Sequence, residues 1–207
     1  MIYAIGDSFT YGDELSNRDF AWPAILSKKL NHEIINLGKP ASGNKRIVKR
    51  VIDAVNDKAD MIIIGWSDTN RQEFADNMGV YDIWAGRTYS DANQINDISY
   101  RLQLIKYMTV YDTPEYYYAD WLRQVILTQS LCKLHNIPCI MFIACGAHET
   151  HNEYCLKFKH LVNAIDQTKF VDSMFVSVGE WTYNVPYGPN GHPLEQGHEI
   201  IAVSYTH

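Results

Sequence analysis

Three residues of this chain are of the types that carry acyl-transfer chemistry. Ser8 lies in the run Gly6-Asp7-Ser8-Phe9, His192 in Pro189-Asn190-Gly191-His192-Pro193, and Gly43 in Ala41-Ser42-Gly43-Asn44. A serine hydroxyl attacks an acyl carbon only with a base within hydrogen-bond reach and donors for the oxyanion. Ser8 fits the nucleophile. His192 fits the base, brought over by a late loop. Backbone N–H groups of Ser8 and Gly43 fit the donors, because a glycine lets substrate come close to the main chain. Gly-Asp-Ser is also a common turn, in which the aspartate braces nearby N–H groups. On the residues alone both readings stand.

The elements that must position these groups are legible in the apolar pattern. Residues 1–5 read as a buried strand, 33–36 as a short one, and 60–65 and 139–144 as continuous apolar strands buried on both faces. Residues 22–30 predict a helix with Pro23 in its first turn. Helical spacing over 46–58 runs through Ile47, Val48, Val51, Ile52 and Val55, with Asn44 as its expected N-cap. Further helices are expected over 94–110, 115–135, 151–165 and 194–205, and a last strand over 175–178. Strands alternating with helices imply a parallel sheet covered on both faces, within one domain spanning 1–207. Residues 66–115, with Trp66, Tyr81, Trp84 and Tyr89, read as an aromatic-rich insertion. Functional groups in such sheets gather at the carboxyl ends of the strands. Asp7-Ser8, Ala41 to Asn44, Gly65-Trp66-Ser67-Asp68 and Gly146-Ala147-His148 fall there.

Four blocks then resemble, in order, those of the SGNH or GDSL-like hydrolase family. They are GDSFTYG (6–12), NLGKPASGN (36–44), IIIGWSD (62–68) and NGHPLEQGHEIIA (190–202). The resemblance implies a flavodoxin-like three-layer α/β/α fold with about five parallel strands. It implies a serine esterase with Ser8 as nucleophile, His192 as base and Gly43 in the oxyanion hole. The substrates implied are small acyl esters, with O-acetyl groups on carbohydrate as one class, and no cofactor or metal. The family's third block is usually Gly-x-Asn-Asp. Here Ser67 stands at the asparagine, with Asn70 or Asn44 as substitutes. In the last block an aspartate usually precedes the histidine. Asn190 holds the nearest position, and Glu195 is an alternative acid. Asp7, Trp66, Asn44 and His148 are expected to line the substrate pocket. The GWSD and NGHP versions also look like hydrolase-like proteins of tailed bacteriophages, which implies a virion or an infected cell as one setting. Those departures, with the aromatic insertion, also fit a second class: a non-catalytic binding or structural module.

The remaining signals are weaker. A net charge of −6 argues against a nucleic-acid partner. No apolar run approaches the ~18 residues of a membrane span, and no basic-then-apolar leader precedes residue 1, so the expected compartment is the cytoplasm. Cys132, Cys139, Cys145 and Cys155 have no zinc-site spacing and read as reduced thiols. His148, Glu149 and His151 make a loose metal pattern without a third placed ligand. His198 reads as a first-turn helix residue. Arg71 and Glu73 read as a pair at the pocket rim, and the aromatic residues as helix packing or a carbohydrate platform.

Overall fold

A computed structural model describes residues 1–76, 79–83, 114–146 and 151–204. Trp84, Tyr89, His148 and the helix expected over 94–110 lie outside the described residues. The strands are β1 (Ile2–Ile5), β2 (Ile34–Asn36), β3 (Met61–Trp66), β4 (Gln72–Asp76), β5 (Gly79–Ile83) and β6 (Cys139–Ile143). The helices are α1 (Ser8–Tyr11), α2 (Trp22–Leu30), α3 (Asn44–Asn56), α4 (Pro114–Leu134), α5 (His151–Lys157), α6 (Lys159–Val162), α7 (Val178–Trp181) and α8 (Glu195–Val203).

Four strands form a parallel sheet in the order β2-β1-β3-β6, with Ile2 paired to both Ile34 and Met61 and Ile62 to Cys139. Side chains alternate across it. Tyr3, Ile5, Ile62, Ile64, Trp66, Met141 and Ile143 pack on one face with α3 and α4. Ile2, Ala4, Ile63, Phe142 and Ala144 pack on the other with α2 and α8. Both faces being covered explains the unbroken apolar runs of β3 and β6. Each fully buried aliphatic side chain there contributes about 1.5–3 kcal/mol.

Among the described residues the sheet has four strands, against about five expected. The 170–178 segment reaches β6 through two isolated parallel bridges, Met141 to Phe170 and Ile143 to Ser177. Within the expected 175–178 strand the backbone donors are used locally: Val176 N–H donates to Ser173 C=O at 3.3 Å, Ser177 N–H donates to Glu180 Oε1 at 3.1 Å as the cap of α7, and Val178 already begins that helix. The helix expected over 151–165 is likewise two short ones, α5 and α6. Within the insertion, β4 and β5 form an antiparallel hairpin that the pattern did not announce. No helix of the described residues is long and apolar enough to cross a membrane.

Strand order reverses at β1: the chain goes from β1 out to β2, then back to β3 on the other side. This puts the carboxyl ends of β1 and β3 side by side, at the point where open α/β sheets place ligands.

Candidate active site

Asp7 and Ser8 follow β1 directly. Asp7 is the N-cap of α1, its Oδ1 accepting from Phe9 N–H at 3.0 Å. Ser8 is therefore the first residue of a single helical turn. Gly12 closes that turn in the left-handed conformation (φ 83°), and its N–H donates to Ser8 C=O at 3.0 Å. Gly6 allows the tight exit, because a Cβ there would lie 2.1 Å from Thr10 Oγ1. Ser8 is 2% exposed, and its Oγ has no hydrogen-bond partner among the described residues.

Asp7 is wholly buried and multiply bonded, so it braces the turn rather than facing a pocket. Its Oδ2 accepts from Ser67 Oγ at 2.9 Å, Arg71 Nη1 at 3.0 Å and Cys145 Sγ at 3.2 Å. Arg71 Nη1 also donates to Ser67 Oγ at 2.9 Å. Arg71 thus pairs with Asp7, and the expected partner Glu73 instead meets Arg46 at 3.5 Å. Burial, then the Asp7 charge, pushes the Cys145 thiol up, which keeps it protonated and a donor.

This network reassigns several expected pocket residues. The single proton of the Ser67 hydroxyl goes to Asp7, so Ser67 has none to give an oxyanion. Asn44 is not the cap of α3; Gly43 is, and Asn44 is the first helical residue. Its side chain instead grips Ser67, accepting from Ser67 N–H at 2.9 Å and donating to Ser67 C=O at 3.1 Å. Trp66 lies in the core with no exposed surface, because strand alternation turns it with Ile62 and Ile64 onto the α3–α4 face. Of Tyr116, Tyr117 and Tyr118, only Tyr116 is exposed. Asn70, with Ser67, Cys145 and Tyr118, borders a cavity of about 40 Å³ at the ends of β3 and β6.

His192 is 5% exposed, and its ring packs edge-on against Phe9, the neighbour of Ser8, with centroids 5.4 Å apart. No hydrogen bond joins Ser8 Oγ to it. Its Nδ1 is bonded at 2.7 Å to Glu14 Oε2, a residue that the sequence reading did not single out. Asn190 does not orient the ring: its N–H lies 2.9 Å from Glu14 Oε1, and its Nδ2 donates to the same oxygen at 3.1 Å. Glu195 is also engaged elsewhere, accepting from Ser16 Oγ at 2.7 Å. Burial alone would raise the Glu14 carboxyl. The N–H of Asn190, then the ring and N–H of His192, outweigh it and hold the group below the usual glutamate value. The one advance signal for Glu14 is an acid two residues past the glycine that ends the Ser8 turn. His198 fits its expected role: it is buried at the start of α8, and its Nδ1 accepts from Trp22 N–H at 3.1 Å.

Comparisons with known proteins agree with this architecture. A model described as a family of unknown function (DUF6071) matches residues 11–207. No curated protein sequence matches. Among solved structures, the chain is similar to TesA (TM-score 0.59, 11% identity, 99% of this chain and 95% of that one). It is similar to the psychrotrophic esterase EstA from Pseudoalteromonas sp. (TM-score 0.54, 9% identity, 99% and 93%). It is also similar to a member of the lipolytic protein G-D-S-L family from Veillonella parvula DSM 2008 (TM-score 0.51, 12% identity, 99% and 95%). The chain has the SGNH/GDSL-like hydrolase fold.

Proposed function

The chain belongs to the DUF6071 family of unknown function, and we propose that it is a serine esterase cleaving small acyl esters through an acyl-enzyme on Ser8. The observation that carries this reading is Ser8 Oγ itself. A buried hydroxyl without a partner is costly and calls for an explanation. This one has no partner among the described residues, sits at the switch point of an α/β sheet, and precedes Phe9, whose ring packs on His192.

Because His192 Nδ1 is occupied, Nε2 is the nitrogen left for the serine. In the proposed reaction Ser8 Oγ attacks the ester carbonyl and His192 Nε2 takes its proton. That proton passes to the leaving alcohol. Water then attacks the acyl-enzyme, giving a proton to Nε2, which passes it to Ser8 Oγ as the acyl–oxygen bond breaks and the carboxylic acid leaves. The oxyanion donors are the main-chain N–H groups of Ser8 and Gly43, with the Asn70 amide as third. The Ser8–His192 hydrogen bond forms in this reading when substrate fills the site, as catalytic bonds often tighten only then. O-acetylated carbohydrate is the proposed substrate class.

The competing reading is a non-catalytic module of the same fold. It draws on the Ser67 hydroxyl, which Asp7 and Arg71 engage where the hydrolases usually carry an asparagine. Hydrolysis of p-nitrophenyl acetate by wild type and Ser8→Ala, with fluorophosphonate labelling and peptide mass spectrometry, separates the two. Turnover lost in Ser8→Ala and a label on Ser8 are expected. A folded wild type that neither turns over nor takes the label would sink the esterase reading.

A further inference from the structure

We propose that Glu14 is the acid that orients His192, standing in for the aspartate that the last sequence block lacks. The proposal rests on the esterase reading for its catalytic meaning, and on geometry for its structural one. Glu14 Oε2 sits 2.7 Å from His192 Nδ1 and also accepts the His192 N–H at 3.2 Å. The two side chains are only 6% and 10% exposed, so water competes little for the contact. The remaining oxygen capacity is filled by Asn190, through both its main-chain and side-chain N–H groups.

Three features over-determine this placement. Glu14 has φ 64°, a left-handed conformation that a glutamate holds only when its surroundings impose it. Gly188 leaves the space that the carboxylate fills: a Cβ there would lie 2.7 Å from Glu14 Cδ and 2.8 Å from each oxygen. The loop after Gly12 is pinned to the start of α8 by Ser16, which donates to Glu195. On the other side the histidine loop is closed by Gly188 N–H to His192 C=O at 2.9 Å and Leu194 N–H to Pro186 C=O at 3.1 Å.

The same contacts explain Asn190. An aspartate side chain there could not donate to Glu14 and would set a second carboxylate against it. The amide is what a displaced acid requires. Glu14 is a positioning residue: it touches the base, not the substrate. It keeps the Nδ1–H tautomer, leaving Nε2 to accept the serine proton, and it stabilises the imidazolium without itself being protonated. In the serine-protease template, replacing the orienting aspartate by asparagine costs about 10⁴ in turnover through the wrong tautomer.

The test is Glu14→Gln, read by p-nitrophenyl acetate kinetics and by ¹⁵N NMR of the His192 ring at a pH where it is neutral. In wild type, Nδ1 is expected to carry the proton and Nε2 to give the pyridine-type shift. Glu14→Gln is expected to mix the tautomers and to lower kcat by about 10²–10⁴ with KM nearly unchanged, whereas Glu14→Asp keeps part of both. A wild type with the proton on Nε2 overturns the proposal even if no variant folds. So does a folded Glu14→Gln with wild-type tautomer and turnover. If wild type is inactive and unlabelled on Ser8, the esterase reading fails by itself, and the tautomer still decides whether Glu14 orients the ring.

Discussion

Gly188→Ala probes the Glu14 site without touching any of its polar groups. Gly188 is not among the residues with positive φ, so alanine fits its backbone. The new Cβ would stand 2.7 Å from Glu14 Cδ, whereas an ordinary contact begins at 3.4 Å. The carboxylate must give way by the difference, 3.4 − 2.7, or about 0.7 Å. If that displacement falls along the Nδ1···Oε2 vector, the 2.7 Å bond opens toward about 3.4 Å and is effectively lost. A hydrogen bond to a charged group is worth about 1.5–3 kcal/mol. At about 1.36 kcal/mol per tenfold in rate, kcat/KM should fall roughly 10- to 150-fold. The fold should survive, because glycine to alanine at a compatible backbone also stabilises by about 0.4–1 kcal/mol through the unfolded chain. The assay is ester hydrolysis alongside a thermal melt. A Gly188→Ala protein with normal melting and kcat/KM within twofold of wild type would refute the claim that the carboxylate position is held by this gap.

Two further outcomes follow from the same geometry. Asn190→Asp restores the acid to its usual place in the sequence, yet it should lower kcat/KM, since it removes the amide donated to Glu14 and adds a like charge; a gain in activity would contradict this. Burial lowers the His198 pKa from 6.5 to about 4, with Glu195 opposing and His192 adding to the shift. The unfolded chain therefore binds the extra proton first, and stability is lost as pH falls from about 6.5 to about 4. The span is about 2.5 units, on the order of 3 kcal/mol. Urea unfolding of wild type and His198→Gln at pH 7 and pH 4.5 checks it. A stability difference between the two that does not change with pH would count against it.

The sheet was legible because its strands are buried on both faces, so β1, β3 and β6 appear as unbroken apolar runs. Ser8 and His192 are legible as candidates because each lies in a short block with its own turn chemistry. The rest depends on contacts that sequence spacing does not encode. Asn44 looked like a cap, but its side chain reaches across 23 residues to hold the Ser67 peptide. Trp66 looked like a pocket residue because it lies next to the strand end, yet strand alternation turns it into the core. The strand expected over 175–178 is cut to a single bridge because Ser177 caps a helix that begins at Val178. Glu14 is hidden most deeply: an acid bonded to the histidine is expected on the histidine's own loop, whereas this one arrives from the loop after the Ser8 turn.

Glu14 and His192 are 178 residues apart in the chain. Bringing such a pair together costs about 4–5 kcal/mol of closure entropy beyond a constant, whereas an acid two residues away would cost almost nothing. A neighbouring acid could orient its histidine in any fragment that kept the loop. Here the ring is aimed only while two distant loops are docked on each other. Partial opening of either one would leave helices and sheet intact and, in the proposed esterase, disarm the base. Turnover would then be a finer gauge of this docking than any measure of secondary structure, and during folding it would be among the last properties to appear.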